Sequence, residues 1–269
     1  MSIPESAAPN WLYWLESCES TNTWAINHLS QLRHGDVVYT PQQTAGRGQH
    51  GRRWYAPPGG LTASFILDNL SANQLTGLSL VAGLAVIYSI EDLVPSLKDQ
   101  LRLKWTNDVI AQGCKLAGIL CEATSNSRAT RVVIGVGLNC QVDFTQTNLT
   151  AAELGDPISL HQLCPETALP EELTLLEHLR HYLGQASALI AQSSPQNSSI
   201  AAFLPDLRQR DWLLDRQIAL ATGVQTGVQQ TDMHLVVGQA AGIDDWGRLL
   251  IRQADGVRAF ASGRVVNWV

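Results

Sequence analysis

The sequence is poor in lysine. Of its 18 basic residues only Lys98, Lys104 and Lys115 are lysines, the other 15 being arginines. Charge as a whole is scarce at 16% of 269 residues, and acids outnumber bases by 24 to 18. The resulting net charge of −6 lacks the basic footprint of a general nucleic-acid binder. Apolar residues at 45% exclude disorder by the usual route of low hydropathy and high charge. A long hydrophobic run is also missing. The longest, residues 78–90, is broken by Ser79 and Ser89 and falls short of the roughly 20 residues of a spanning helix, so no membrane association is expected. No basic segment precedes an apolar core near the N-terminus, which argues against a signal peptide. The five cysteines (Cys18, Cys114, Cys121, Cys140, Cys164) include no Cys-x-x-Cys pair. They read as reduced, mostly buried thiols of a cytoplasmic protein, not as a disulfide or zinc framework.

What is present organises into an α+β main domain, residues 1–212, and a small β-barrel, residues 213–269. Ser20-Thr21-Asn22 offers hydroxyl caps ahead of a helix carrying Trp24, Ile26 and Leu29. Strands are predicted at 36–40, 61–67, 101–105, 116–123 and 131–140. Helices are predicted at 73–94, apolar on most sides, and at 171–191, where Leu173, Leu176, Leu179, Leu183 and Ile190 form a stripe. Residues 192–199 read as a loop between helices. Residues 41–60 form a loop rich in glycine and proline, and a loop of that length in a compact domain is more often functional than idle. From Arg216 onward, short alternating segments are split by turn signals at 244–247 and 255–256, the pattern of β-hairpins.

Three segments carry candidate chemistry. Gly46-Arg47-Gly48-Gln49-His50-Gly51-Arg52-Arg53-Trp54 combines backbone freedom, guanidinium donors and one large ring. It suits an anion nest with a stacking platform, and it equally suits a solvated basic turn. Lys104-Trp105-Thr106-Asn107-Asp108 follows a strand and reads either as a phosphate or base contact or as a strand-ending turn. Lys115 opens an apolar strand in which Lys115, Ala117 and Ile119 alternate against Leu116, Gly118 and Leu120. An isolated lysine there could snorkel to solvent. Two of three lysines at the ends of core strands argue for a purpose. His178 and His181 share a helix face without a third metal ligand, and His50 has no identified partner.

Together with Gln42-Gln43-Thr44-Ala45 and Gly135-Val136-Gly137-Leu138-Asn139, these segments resemble, in order and spacing, the biotin protein ligases. The resemblance implies a catalytic domain with a mixed sheet flanked by helices, of class II synthetase-like type, and a C-terminal SH3-like barrel. It also implies a reaction: biotin and MgATP give biotinoyl-5′-AMP, whose acyl group passes to one lysine of the biotin carboxyl carrier domain of acetyl-CoA carboxylase. On that likeness Ser20, Thr21, Asn22, Gln43, Gly46, Arg47, Gly118 and Gly137 hold biotin. Gln49, Arg52, Trp54, Lys104, Asn107, Lys115 and Asn139 hold ATP or the adenylate. Lys115, Arg52 and Asp108 serve the chemistry, Asp108 toward the incoming amine, with Mg2+ arriving with ATP.

Gln49 stands where many relatives carry a further arginine, which predicts looser retention of the adenylate. Only 19 residues precede Ser20, whereas an independent domain needs roughly 50. The expectation is therefore an enzyme that binds no DNA and is not a transcriptional repressor. A homodimer is compatible with the likeness. Lipoate–protein ligase and a non-enzymatic RNA-binding module are the competing readings. The arginine and glycine pattern disfavours the first and the net charge disfavours the second.

Overall fold

In a computed structural model, residues 9–125, 130–146, 156–193, 197–223 and 234–268 are described. Seven strands form one mixed sheet: β1 (Leu12–Trp14), β2 (Val37–Thr40), β3 (Gly60–Leu70), β4 (Arg102–Lys104), β5 (Asp108–Ala111), β6 (Cys114–Ser125) and β7 (Thr130–Asn139). Their order is β1-β2-β3-β7-β6-β5-β4, with β1 and β2 parallel and every other pair antiparallel. Side chains alternate across a strand, so each strand feeds two faces. Phe65, Leu67, Ile134, Val136 and Leu138 enter the main core under α2 (Leu78–Leu93) and α4 (Glu172–Ala191). Val38, Ile66 and Val133 point the other way and meet Ala25 of α1 (Thr21–Asn27). Further along that second face stand Ser64, Gly118, Gly135 and Gly137, positions too small to build a core. A cavity opens over the three glycines.

The predicted helix at 73–94 is two pieces. Residues 72–75 make a 3₁₀ turn boxed by Ser71 and Gln74, and α2 starts only after Gly77. Gly77 takes φ +76°, and a Cβ there would lie 2.9 Å from the Ile200 side chain, so the chain breaks where only glycine fits. α2 is buried nearly all round because it lies between the sheet, α4 and α5 (Leu204–Gln209). Each fully buried Leu or Ile of this kind contributes about 1.5–3 kcal/mol. A short helix, α3 (Leu160–Leu163), follows residues 156–158.

The C-terminal part is a five-stranded antiparallel sheet: β8 (Gln217–Thr222), β9 (His234–Ile243), β10 (Leu249–Gln253), β11 (Gly256–Phe260) and β12 (Arg264–Trp268), ordered β11-β10-β9-β8-β12. Strands β1, β5 and β12 were not among those the sequence pattern predicts. The first is three residues long, and the second follows Lys104 so closely that Asn107-Asp108 reads as a turn. Of the predicted loop at 192–199, residues 194–196 lie outside the described residues.

The segment 210–212 and Trp105 fix this sheet against the seven-stranded one. Residues 210–212 run along the edge strand β4, Leu103 donating to Arg210 O and accepting from Trp212 N. Arg210, only 6% exposed, pairs with Glu91 at 2.6 Å and with Asp99 at 3.1 Å. Trp105 also donates from Nε1 to Gly247 O in the β9–β10 turn.

Candidate active site

The cavity has a volume of about 360 Å3, within the usual range for a small-molecule site. Of the sixteen residues expected there, all but Gly46 line it. Its inner end is neutral and closed upon itself. Ser20 caps α1 by accepting from Thr23 N. Gln43 Oε1 accepts from Thr21 N at 2.9 Å. Ser64 Oγ lies 2.8 Å from Thr21 Oγ1 and 2.5 Å from Asn22 Oδ1. Asn22 donates from Nδ2 to Leu120 O and to Glu122. Gly135 is required beneath it, because a Cβ there would fall 2.4 Å from Asn22 Oδ1.

The segment 46–54 folds over this end as a small hairpin. Gly48 N donates to Arg52 O at 2.7 Å and Trp54 N to Gly46 O at 2.9 Å, around a 3₁₀ turn at Gln49–Gly51. Gly46 faces its own hairpin and not the cavity. A Cβ there would lie 2.4 Å from both Trp54 O and the Gln43 amide. Arg47 turns its guanidinium away to Glu122 at 2.7 Å and to Thr23 Oγ1 at 3.1 Å. Gln49 Oε1 accepts from Thr106 Oγ1 at 3.0 Å, so the hairpin is tied to β6 and to the β4–β5 turn. The indole of Trp54 lies on Gly118 and Gly137. A Cβ on Gly137 would come within 2.3 Å of it, so the glycines make room for this ring. Trp54 Nε1 is buried and has no hydrogen-bond acceptor among the described residues.

The outer end is cationic. Simple alternation along β6 would place Lys115 on the face of Ala117 and Ile119, away from Gly118. The structure corrects this. Val109 pairs with Ala117 but Ile110 pairs with Lys115, so Leu116 is an extra residue in β6. A bulge of this kind re-aims a side chain. Lys115 thereby joins Gly118, with Nζ 2.6 Å from Asp108 Oδ1 and 5.4 Å from the Trp54 ring centre. Its backbone is fixed as well: Lys115 N donates to Asp156 O, and its carbonyl accepts from Ile158 N and Asn139 Nδ2. Asn139 thus positions Lys115. Asn107 is likewise tied to β6, donating from Nδ2 to Ile119 O at 2.8 Å.

Lys104 pairs in register with Asp108 across the β4–β5 hairpin. Burial pushes its pKa down to about 8; Asp108 acts against the fall, while Lys115, Arg52 and Arg264 add to it. In all, six cationic side chains line the cavity (Arg47, Arg52, Arg53, Lys104, Lys115, Arg264) against the carboxylates of Asp108 and Asp156. In a chain of net charge −6 this is a local reversal of sign, the signature of an anion site. Among the described residues no group of three or more His, Cys, Asp or Glu could hold a metal ion. His178 and His181 stay outside the cavity. No helix of the described residues is long and apolar enough to cross a membrane.

Sequence reasoning missed several lining residues: Tyr55, Phe144, Asp156 and the β12 residues Arg264 and Val265. It also gave no role to Glu122, which joins Arg47 to Asn22. Apart from Tyr55, next to Trp54, and Glu122, which closes the segment that Lys115 opens, none lay within a recognisable motif, and β12 reaches the cavity only through the docking of the second sheet.

Comparison with known proteins agrees with this geometry. The sequence matches the Biotin/lipoate A/B protein ligase family over residues 14–139 and the biotin protein ligase C terminal domain over residues 235–268. It is 35% identical over 236 residues to the biotin–[acetyl-CoA-carboxylase] ligase of Mycobacterium tuberculosis, covering 87% of this chain and 79% of that protein. With the bifunctional ligase/repressor BirA of Escherichia coli it shares 30% identity over 257 residues, 92% of this chain and 71% of that one. The fold is that of the biotin protein ligase from Aquifex aeolicus in complex with biotin and ATP, with a TM-score of 0.75 at 22% identity over 96% of this chain and 98% of that one. The chain belongs to the biotin protein ligase family, and the enzyme is a biotin–protein ligase.

Proposed function

We propose that this enzyme biotinylates one lysine on the biotin carboxyl carrier domain of an acetyl-CoA carboxylase, through a biotinoyl-5′-AMP intermediate. The observation that carries the reading is the division of one cavity into a neutral, hydrogen-bonded end and a cationic end, joined at Lys115. The 35% identity to a biotin–[acetyl-CoA-carboxylase] ligase supports the choice of carrier.

In this reading Ser20, Thr21, Asn22 and Gln43 present a fixed set of hydroxyl and amide groups to the ureido ring of biotin. Gly118 and Gly137, with the Trp54 indole on them, form the wall along which its bicycle lies. Gly46 and Arg47 act through the backbone of the hairpin. The biotin carboxylate then points toward Lys115. Its oxygen attacks the α-phosphorus of ATP, the bond to the β-phosphate oxygen breaks, and pyrophosphate leaves. Lys115 sits where carboxylate and phosphate must meet and offsets their repulsion. Arg52, Gln49, Lys104 and Asn107 hold the nucleotide. Asn139 acts indirectly, by holding the Lys115 carbonyl. In the second step the carrier amine attacks the acyl carbon and the bond to AMP breaks. The proton released from nitrogen passes to Asp108, the carboxylate at the reaction centre. The hairpin 46–54 covers the mixed anhydride and excludes water. Magnesium enters with ATP: Asp108 and Asp156 are too few for a protein cage, and phosphates supply the remaining ligands. Residues 1–212 form the catalytic unit and 213–269 the SH3-like module, a division supported by the pairing of residues 210–212 with β4.

The test is transfer of labelled biotin to a purified carrier domain, with Lys115→Ala as control and lipoate as the competing acid. Biotin-dependent, lipoate-independent ATP–pyrophosphate exchange is expected. Labelling that survives Lys115→Ala, or exchange that answers to lipoate, would refute the assignment.

A further inference from the structure

Hydroxyl groups donate or accept as their surroundings require, but at the neutral end of the cavity the chain fixes which they do. Asn22 Nδ2 faces the Leu120 carbonyl at 3.1 Å and Glu122 Oε2 at 3.0 Å. A carbonyl and a carboxylate only accept, so both amide hydrogens are committed and Asn22 Oδ1 is turned to Ser64. That oxygen also only accepts. It lies 2.5 Å from Ser64 Oγ, so the single Ser64 hydrogen is committed to it. The 2.8 Å contact between Ser64 Oγ and Thr21 Oγ1 is then left to the Thr21 hydrogen. Thr21 lines the cavity, and its hydroxyl has only lone pairs to present there. Thr21, Asn22 and Ser64 are all buried, which limits competition from water. The carboxylate at the head of this series has a second task. Glu122 Oε1 accepts from Arg47 at 2.7 Å and Oε2 at 3.2 Å, and Arg47 belongs to the hairpin 46–54. A carboxylate accepts from Asn22 and Arg47 together, whereas an amide in its place accepts from one and opposes the other.

We propose that Glu122 and Ser64 are positioning residues that make Thr21 an acceptor for an N–H group of the substrate and tie that polarity to the closed hairpin. Neither residue lines the cavity, so both act through Asn22 and Thr21. The group selected is a ring N–H such as that of a cyclic urea. A ring oxygen at the same place sets lone pair against lone pair, and lipoate offers no such donor. When the hairpin lifts, Arg47 leaves Glu122 and the series loses the charge that anchors its head. Recognition is therefore sharpest when the hairpin is closed. This inference rests on reading the neutral end as the biotin site.

The experiment titrates wild type, Ser64→Ala and Glu122→Gln with biotin and with its two cyclic carbamate analogues, in each of which oxygen replaces one ring N–H. Wild type is expected to bind one carbamate about 10–100-fold more weakly than biotin. Ser64→Ala frees the Thr21 hydrogen to turn into the cavity and donate to that oxygen. The ratio of carbamate Kd to biotin Kd is then expected to fall to within about threefold, and Glu122→Gln to lower it in part. Glu122→Gln is also expected to speed release of biotinoyl-5′-AMP several-fold, while Ser64→Ala, which keeps the Arg47 pair, leaves it within twofold. A ratio that stays at the wild-type value in either folded variant would overturn the proposal. Equal weakening toward all three ligands leaves the ratio unchanged and marks a merely structural role. Wild type that binds biotin and both carbamates alike would overturn the proposal but not the biotin site, whereas wild type that fails to bind biotin would overturn the reading of the cavity itself. Glu122 is partly exposed, so its variant decides the matter should the buried change at Ser64 prevent folding, which the melting temperatures report.

Discussion

The two ends of the cavity are stabilised in opposite ways. At the neutral end Thr21, Asn22, Gln43 and Ser64 are joined by hydrogen bonds within the chain itself. At the cationic end Lys104, Lys115, Arg52 and Arg264 repel one another around the Asp108 carboxylate. The first is preorganised for an uncharged ring. The second holds unfavourable energy that an anion releases on binding. Substrate order can follow from this difference: the neutral end loses little by waiting, and the cationic end gains most when phosphates arrive.

The comparison breaks most visibly at Lys115, where the ends meet. Lys115→Ala should lower the rate of biotin-dependent pyrophosphate exchange by about 10²–10³-fold, the usual loss of one charge-stabilising donor. KM for biotin should hardly move. A loss appearing mainly as a raised biotin KM would place Lys115 on the neutral side. At the neutral end the expected effect is smaller and of another kind. Asn22→Ala removes a buried hub contacting Ser64, Leu120 and Glu122, at about 1–3 kcal/mol. It should raise KM for biotin about tenfold or more, with little dependence on salt. The cationic end should show the reverse, ATP KM rising steeply with ionic strength. Equal salt slopes for the two substrates would erase the distinction.

Lys104 sharpens the comparison through pH. Its pKa falls from 10.5 to about 8, first because of burial. The folded protein therefore binds this proton less tightly than the unfolded chain. Its unfavourable contribution to stability is fully present below about pH 8 and fades between about 8 and 10.5. Nucleotide binding runs the other way, since loss of the proton above about pH 8 removes a phosphate partner. KM for ATP should rise several-fold as pH passes 8, while KM for biotin stays level. Lys104→Arg, which keeps its charge, should flatten the ATP profile. A wild-type ATP KM that is flat through pH 9 would remove Lys104 from the phosphate site.

Much of both ends was legible before the fold was known, because each motif is short and its parts are neighbours in the chain. Ser20-Thr21-Asn22 caps a helix and reaches the cavity in the same few residues. The α+β order and the long helices followed from periodicity. What was not legible is where the structure departs from regular repeats. Alternation along β6 put Lys115 on the wrong face, and only the extra residue Leu116 reverses it. The break at Gly77 is invisible unless Ile200, far along the chain, is known to pack there. Arg264 belongs to no motif and meets the cavity only because two sheets dock. The glycines at 118 and 137 were expected to make room for a ligand, but the space over them is filled by the chain's own Trp54.

The smallest effect concerns Gln49, whose amide bridges the two ends by accepting from Thr106. Replacing it with arginine changes two things. The Thr106 tether is lost, at about 1 kcal/mol for an ordinary hydrogen bond. A charge is gained near the adenylate phosphate, and a charged donor is worth about twice a neutral one. The gain should exceed the loss, so Gln49→Arg should slow release of free biotinoyl-5′-AMP by a few-fold in a pulse-chase. Gln49→Ala loses the tether without compensation and should speed it. Leaked adenylate also marks exposed lysines, and the protein has one outside the cavity, Lys98, at an exposed turn after α2. Self-labelling at Lys98 should therefore fall in Gln49→Arg and rise in Gln49→Ala. Faster release from Gln49→Arg would mean that the hairpin is closed by its hydrogen bond to Thr106 more than by charge. The cover over the intermediate would then belong to the neutral end of the cavity and not to the cationic one.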